Sequence, residues 1–137
     1  MIFVDSNVPM YIVGNDPSRK IDVQRVLERL TSERRHLATS SEVFQELLHR
    51  YVSEDRRDAI EPVFDALREI VDDVFAVEEA DVLLAKDLAQ SHLRLSARDA
   101  VHAAVMRRRQ IAEILTFDRG FEEVAGIRRI PLSATRP

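Results

Sequence analysis

The 137-residue chain has no cysteine. That excludes a disulfide framework, a thiolate metal site and a cysteine nucleophile. No apolar run approaches membrane-spanning length, and the N-terminus lacks a basic stretch followed by a long apolar one, so a soluble, cytoplasmic protein is expected. Neither GxGxxG nor GxxxxGK followed by Ser or Thr occurs, which weakens nucleotide-binding readings. An excess of positive charge is missing too. Twenty Lys and Arg face 24 Asp and Glu, for a net −4, and this argues against a broadly basic nucleic-acid binder. There is no Gly-, Pro- or Ser-rich linker and no internal repeat, so a single domain over residues 1–137 is expected. Apolar residues make up 45% of the chain, enough for a proper core.

The charge that is present is unevenly spread. Residues 1–16 carry −2, residues 17–36 carry +3, residues 37–97 carry −8 and residues 98–137 carry +3. Ordinary solvated helix faces account for most of this, but an acidic site flanked by basic surface is compatible with it.

Met1-Ile2-Phe3-Val4 is an unbroken apolar run that stops at Asp5. Such a run suits a strand buried on both faces of a parallel sheet. The pattern that follows alternates helix and strand. Ser6 to Val13 reads as a short helix, and Gly14-Asn15-Asp16-Pro17 as its exit turn. Ser18 is placed to cap a helix over about 19–35, with Ile21, Val26, Leu27 and Leu30 on its covered face. A weak second strand falls at 36–39. Thr39-Ser40-Ser41-Glu42 has the form of a capping box opening a helix to about Ser53, with Val43, Phe44, Leu47, Leu48 and Tyr51 as its apolar stripe. A helical segment over 54–72 is interrupted or begun near Pro62. A strand at 73–77 and a helix over 79–93 follow, the helix showing Ala80, Leu83, Leu84, Asp87 and Leu88 on one face. A second capping pattern, Ser96-Ala97-Arg98-Asp99, opens a helix to about Arg109, where Ala100, Ala103 and Ala104 permit close packing. Strands at 114–117 and 127–132 complete the chain before a short polar tail. Strands alternating with helices imply an α/β fold with a parallel sheet, helices on both faces and right-handed crossovers.

Two of these strands run into an aspartate, Asp5 and Asp118. Asp5 also reads as the cap of the helix starting at Ser6. If the two strands are neighbours, both carboxylates meet at the carboxyl edge of the sheet, where open α/β folds place ligands. Glu46 lies on the flank of its helix stripe and can reach across the top of the sheet, whereas Glu42 falls nearly opposite the stripe. A surface pair of Glu46 with Arg50 is the plainer alternative. Helical period turns Asp99 away from the core, and a first-turn acid favouring the helix dipole explains it equally well.

The segments MIFVDSN, SSEVFQELLHR, SARDAVHAAVM and ILTFDRGFEEV, in this order, resemble the PIN-domain nucleases, in particular the VapC-type toxins of type II toxin–antitoxin systems. The resemblance spans essentially the whole chain. It implies a PIN-like three-layer α/β/α sandwich with a five-stranded parallel sheet of order 3-2-1-4-5, which makes the first and fourth strands neighbours. It implies that Asp5, Glu46, Asp99 and Asp118 form a catalytic acidic set, with Asp5, Asp99 and Asp118 as metal ligands. Glu46 is then a second-metal ligand or a water-orienting base. Ser6, Asn7 and Thr116 match positions that support the acids through hydrogen bonds. The partners implied are an RNA substrate, a cognate antitoxin and a second copy of the chain in a homodimer.

Clustered carboxylates repel one another and call for a cation. Mg²⁺ or Mn²⁺ prefers such oxygen donors. The absence of cysteine and of clustered histidine argues against zinc. Arg19, Lys20 and Arg98 are candidate RNA contacts, while Arg107-Arg108-Arg109 reads first as a solvated helix end. For His102, one turn past Asp99, a structural or solvent role is expected ahead of a catalytic one. Other readings fit less well. An aspartate-nucleophile phosphatase needs a second Asp where Asn7 stands, and a phosphate-accepting receiver domain needs a Lys near its last strand. The remaining alternatives are a stand-alone PIN nuclease and a PIN-fold RNA- or protein-binding module that no longer cuts.

Overall fold

Ile2, Phe3 and Val4 are completely buried, and the strand they form lies at the centre of the sheet. The computed structural model describes residues 1–132; the polar tail expected after them lies outside these residues. The elements are β1 (Ile2–Val4), α1 (Asn7–Val13), α2 (Pro17–Ser32), β2 (Leu37–Ser40), α3 (Ser41–Ser53), a 3₁₀ turn (Arg57–Ala59), α4 (Ile60–Ile70), β3 (Asp73–Phe75), α5 (Glu79–Ser91), α6 (Ala97–Arg108), β4 (Glu113–Leu115), a second 3₁₀ turn (Arg119–Glu123) and β5 (Arg128–Ile130). All strand pairs are parallel, and the order is β3-β2-β1-β4-β5, as the resemblance implies. Right-handed crossovers put α1 to α4 on one face of the sheet and α5 and α6 on the other. Strand order reverses between β1 and β4, so the crevice for a ligand opens at their carboxyl ends.

Several boundaries differ from those expected, each for a local reason. The second helix is capped by Asp16, not Ser18: the Asp16 carboxylate accepts from Arg19 N at 3.1 Å, and Pro17 takes the first helical position. The capping box from Thr39 does not form. Thr39 stays in β2 and its hydroxyl donates to Val4 O at 2.9 Å, while Ser40 occupies the cap without a side-chain bond. β3 stops at Phe75, because Val77 N turns to Ser41 Oγ. β4 ends at Leu115, so Thr116 to Asp118 form the loop beyond it. β5 ends at Ile130, since Pro131 has no N–H for the ladder.

The helix faces need one larger correction. α5 buries Asp81, Ala85 and Leu88, whereas Leu83 is 52% exposed. The pattern of apolar residues pointed to the wrong face because Asp81 is polar. Its carboxylate closes a capping box with Glu78 and accepts from Arg108 at 2.7 Å, which makes its burial tolerable. In α2 the covered residues are Val23, Val26 and Leu30, with Ile21 exposed, and in α3 Leu48 is exposed. In α6 the small Ala100, Ala103 and Ala104 are buried, as a close-packed helix requires.

Candidate active site

Thr116 is the hub of the loop after β4. Its buried hydroxyl donates to Asp5 Oδ2 at 2.7 Å and accepts from Asn7 Nδ2 at 3.1 Å and from Asp118 N at 3.0 Å. One donor and two acceptor positions exhaust a hydroxyl. The Asn7 amide closes the ring by accepting from Phe117 N at 3.4 Å. Asp5 Oδ1 accepts from Ser6 N at 2.7 Å. Asp5 is thus held at both oxygens on the first residue past β1, and Asp118 is tied to the same hub. Asp118 also accepts from Gly120 N at 2.8 Å, and a Cβ on Gly120 would stand only 3.1 Å from that oxygen.

Helices α3 and α6 bring the other acids. Glu46 and Asp99, both half-buried, line a cleft of about 430 Å³ with Asp5, Ser6, Asn7, Asp118, Arg98 and Tyr11. Asp99 N donates to Ser96 Oγ at 3.1 Å, so Ser96 caps α6 and fixes where its first turn begins. The four acids expected from the sequence therefore share one cleft, and Thr116 lies buried beneath it. Arg98 is exposed on its wall. Arg19 and Lys20 are not among the residues lining it.

His102, for which a structural or solvent role was expected ahead of a catalytic one, stands against two of the four acids. It is completely buried, its ring tilted against Phe3, and its Nε2 lies 3.1 Å from Glu46 Oε1 and 3.8 Å from Asp5 Oδ1. Its Nδ1 has no partner among the described residues. With Nε2 as the protonated nitrogen, the ring donates to Glu46. Among the described residues, the acidic or histidine group whose ligand atoms all lie within 4.8 Å of one another is Asp5, Glu46 and His102. One histidine thus joins the acids. The available signal was spacing: three residues past Asp99 on one helix lies on the same side. The arginines at the end of α6 also differ from a solvated run. Arg107 donates to Ala125 O, Arg108 to Asp81, and Arg109 stacks on Phe75 at 4.6 Å.

The electrostatics follow from this crowding. Burial pushes the Asp5 carboxyl up, against the lowering influence of His102, Thr116 and Ser6. Burial also raises Asp99, and the neighbouring Asp5 and Asp118 carboxylates carry it to about 7. Glu46 moves the other way. Its burial is outweighed by the hydrogen bond and charge of His102, a hydrogen bond from Ser6 and the Arg98 guanidinium, so it stays ionised below the usual range. His102 is raised despite burial, because Glu46, Asp5 and Asp99 all favour its cation. An aspartate half-neutralised near pH 7 beside two other carboxylates marks a site with more negative charge than its own cations balance. Hard carboxylate oxygens in that state suit a divalent metal.

The PIN domain family model matches residues 2–127. The chain is 48% identical to ribonuclease VapC13 of Mycobacterium tuberculosis over 130 residues, covering 95% of this chain and 99% of that protein. It is 39% identical to ribonuclease VapC23 of the same species over 118 residues, covering 86% and 93%. Among solved structures, VapC20 of Mycobacterium tuberculosis, a toxin cleaving the sarcin–ricin loop, superposes with a TM-score of 0.72 at 23% identity, covering 93% of this chain and 99% of that one. The VapBC2 complex of Rickettsia felis, bound to a DNA fragment from its promoter, gives 0.73 at 16% identity, covering 95% and 98%.

Proposed function

Because the chain belongs to the PIN-domain family and, within it, to the VapC ribonucleases, we propose that it is an Mg²⁺- or Mn²⁺-dependent endoribonuclease that hydrolyses RNA phosphodiester bonds. The observation that carries this reading is the surplus of carboxylate at the sheet's switch point: Asp5, Glu46, Asp99 and Asp118 in one cleft, with Asp99 raised to about 7. Asp5, Asp99 and Asp118 are the residues that would hold the metal. When bound, the metal supplies Lewis-acid polarisation of the scissile phosphate and charge for the leaving oxygen.

The chain's own residues do the rest. Thr116 and Ser6 fix both oxygens of Asp5, so it meets a cation without reorganising. Asn7 and Gly120 hold Asp118 and its loop. Glu46 is ionised, and its carboxylate, oriented by His102, is the chain's own acceptor for a proton from the attacking water. With a second metal bound, Glu46 would instead be one of its ligands.

The chain is also the toxin of a toxin–antitoxin pair and a homodimer in this reading. The VapC relatives and the toxin–antitoxin complexes among its structural neighbours support the antitoxin. The test is calorimetric titration of the metal-free protein with Mn²⁺, alongside fragmentation of an RNA pool. The wild type binds Mn²⁺ and cuts RNA, EDTA stops the cutting, and Asp118→Asn loses both. Wild-type protein that binds no Mn²⁺ overturns the reading.

A further inference from the structure

Helix α2 begins Pro17-Ser18-Arg19-Lys20, with no acid in its first turn. Two cations at the positive end of a helix are misplaced with respect to its dipole. Arg19 does not recover this through an ion pair, since the salt bridges of the described residues do not include it. It is half-buried instead, with its guanidinium 4.6 Å from the centre of the Phe117 ring and 5.5 Å from that of Tyr11. Those two rings meet edge to face at 4.9 Å. Tyr11 lines the acidic cleft, and Phe117 stands between the hub residue Thr116 and Asp118.

Stacking occupies the face of a guanidinium and leaves its edge N–H groups free to donate. A planar, weakly hydrated cation held this way is suited to bidentate recognition of phosphate. The cleft also needs such a cation, because a strand laid across four carboxylates carries its own negative charge on both sides of the scissile bond. Arg50 and Arg98 line the cleft from α3 and α6. Arg19 stands beside the cleft on α2, its position preset by the Phe117 ring and by the Tyr11 ring that lines the cleft.

We propose that Arg19, clamped on Tyr11 and Phe117, is a phosphate-binding arm that grips the RNA backbone beside the scissile bond. The proposal rests on the ribonuclease reading and adds a positioned substrate contact to it. The experiment is fluorescence anisotropy of a short labelled single-stranded RNA with the full chain in Ca²⁺, across a series of KCl concentrations. The wild type, Arg19→Gln, Arg19→Lys and Arg25→Gln are compared. Arg25 is an exposed cation on the same helix and controls for bulk charge. Arg19→Gln weakens binding by about tenfold and lowers the salt slope by about 0.7, the loss of one phosphate contact. Arg19→Lys recovers part of the affinity, and Arg25→Gln changes little. Equal effects of Arg19→Gln and Arg25→Gln, or none from either, overturn the arm while leaving the nuclease intact. A wild type that neither binds this RNA nor cuts an RNA pool in Mn²⁺ overturns the arm together with the nuclease.

Discussion

Buried His102 lies between two carboxylates from different elements, Asp5 after β1 and Glu46 on α3. His102→Ala removes both the ring packed on Phe3 and the donor to Glu46. We expect about 2–4 kcal/mol of lost stability from the cavity and the orphaned acceptor, together with a fall in kcat; His102→Gln, which retains a donor, restores part of kcat. Thermal melts and steady-state rates separate the two effects. Thr116→Val keeps the shape but leaves Asp5, Asn7 and Asp118 N without the hub, and about 1–3 kcal/mol of destabilisation follows. Asp99 gives a pH test. Its carboxyl rises from the usual 3.8 to about 7 on folding. Between those values the folded chain binds more protons than the unfolded one, so stability falls as pH rises. In EDTA, the melting temperature of Asp99→Asn therefore exceeds the wild type's by a margin that grows from pH 4 to about 7 and then levels off. A margin that shrinks with rising pH contradicts this electrostatic account.

Helices α2, α3 and α6 each end on a left-handed residue that is not glycine: Arg34 (φ 55°), Asp55 (φ 56°) and Gln110 (φ 59°). The following N–H of each reaches back to close the helix, as Arg35 N does to Leu30 O, Arg56 N to Tyr51 O and Ile111 N to Met106 O. Glycine suits this conformation best, so Gln110→Gly is expected to stabilise by about 0.5–1 kcal/mol in chemical denaturation, without altering the cleft. No glycine marks these ends, yet those expected at about Ser53 and Arg109 fall within a residue, and only α2 stops earlier, at Ser32. The α5 face was misread, because hydrophobic period cannot foresee that Asp81 is buried against Arg108. By contrast, the first strand was legible, because an unbroken apolar run bounded by a polar residue suits a strand buried on both faces. Glu46 was legible from its angle to the α3 stripe. Asp99 was not, since a first-turn acid has a sufficient local reason, and only the α6 cap at Ser96 together with the packing of α6 turns it into the cleft.

Across the whole molecule, the parallel order β3-β2-β1-β4-β5 brings residue 5 and residues 116–118 together over more than a hundred positions of chain. The alternation of strand and helix predicts such a sheet, but only the family resemblance supplied the strand order. The charges describe a fold that stores repulsion at its switch point and relieves it on binding a cation. Mn²⁺ at about a hundred times its dissociation constant is then expected to add about 2.7 kcal/mol to the unfolding free energy, and Asp99→Asn to lose most of that gain. No helix of the described residues is long and apolar enough to cross a membrane. The central claim is that this carboxylate cluster cuts RNA with a divalent metal. It is tested most directly by the rate of Mn²⁺-dependent RNA cleavage by Asp5→Asn, which preserves the shape of Asp5 and removes its charge. We expect the rate to fall at least about a hundredfold in a protein that still melts cooperatively. Cleavage at the wild-type rate contradicts the account.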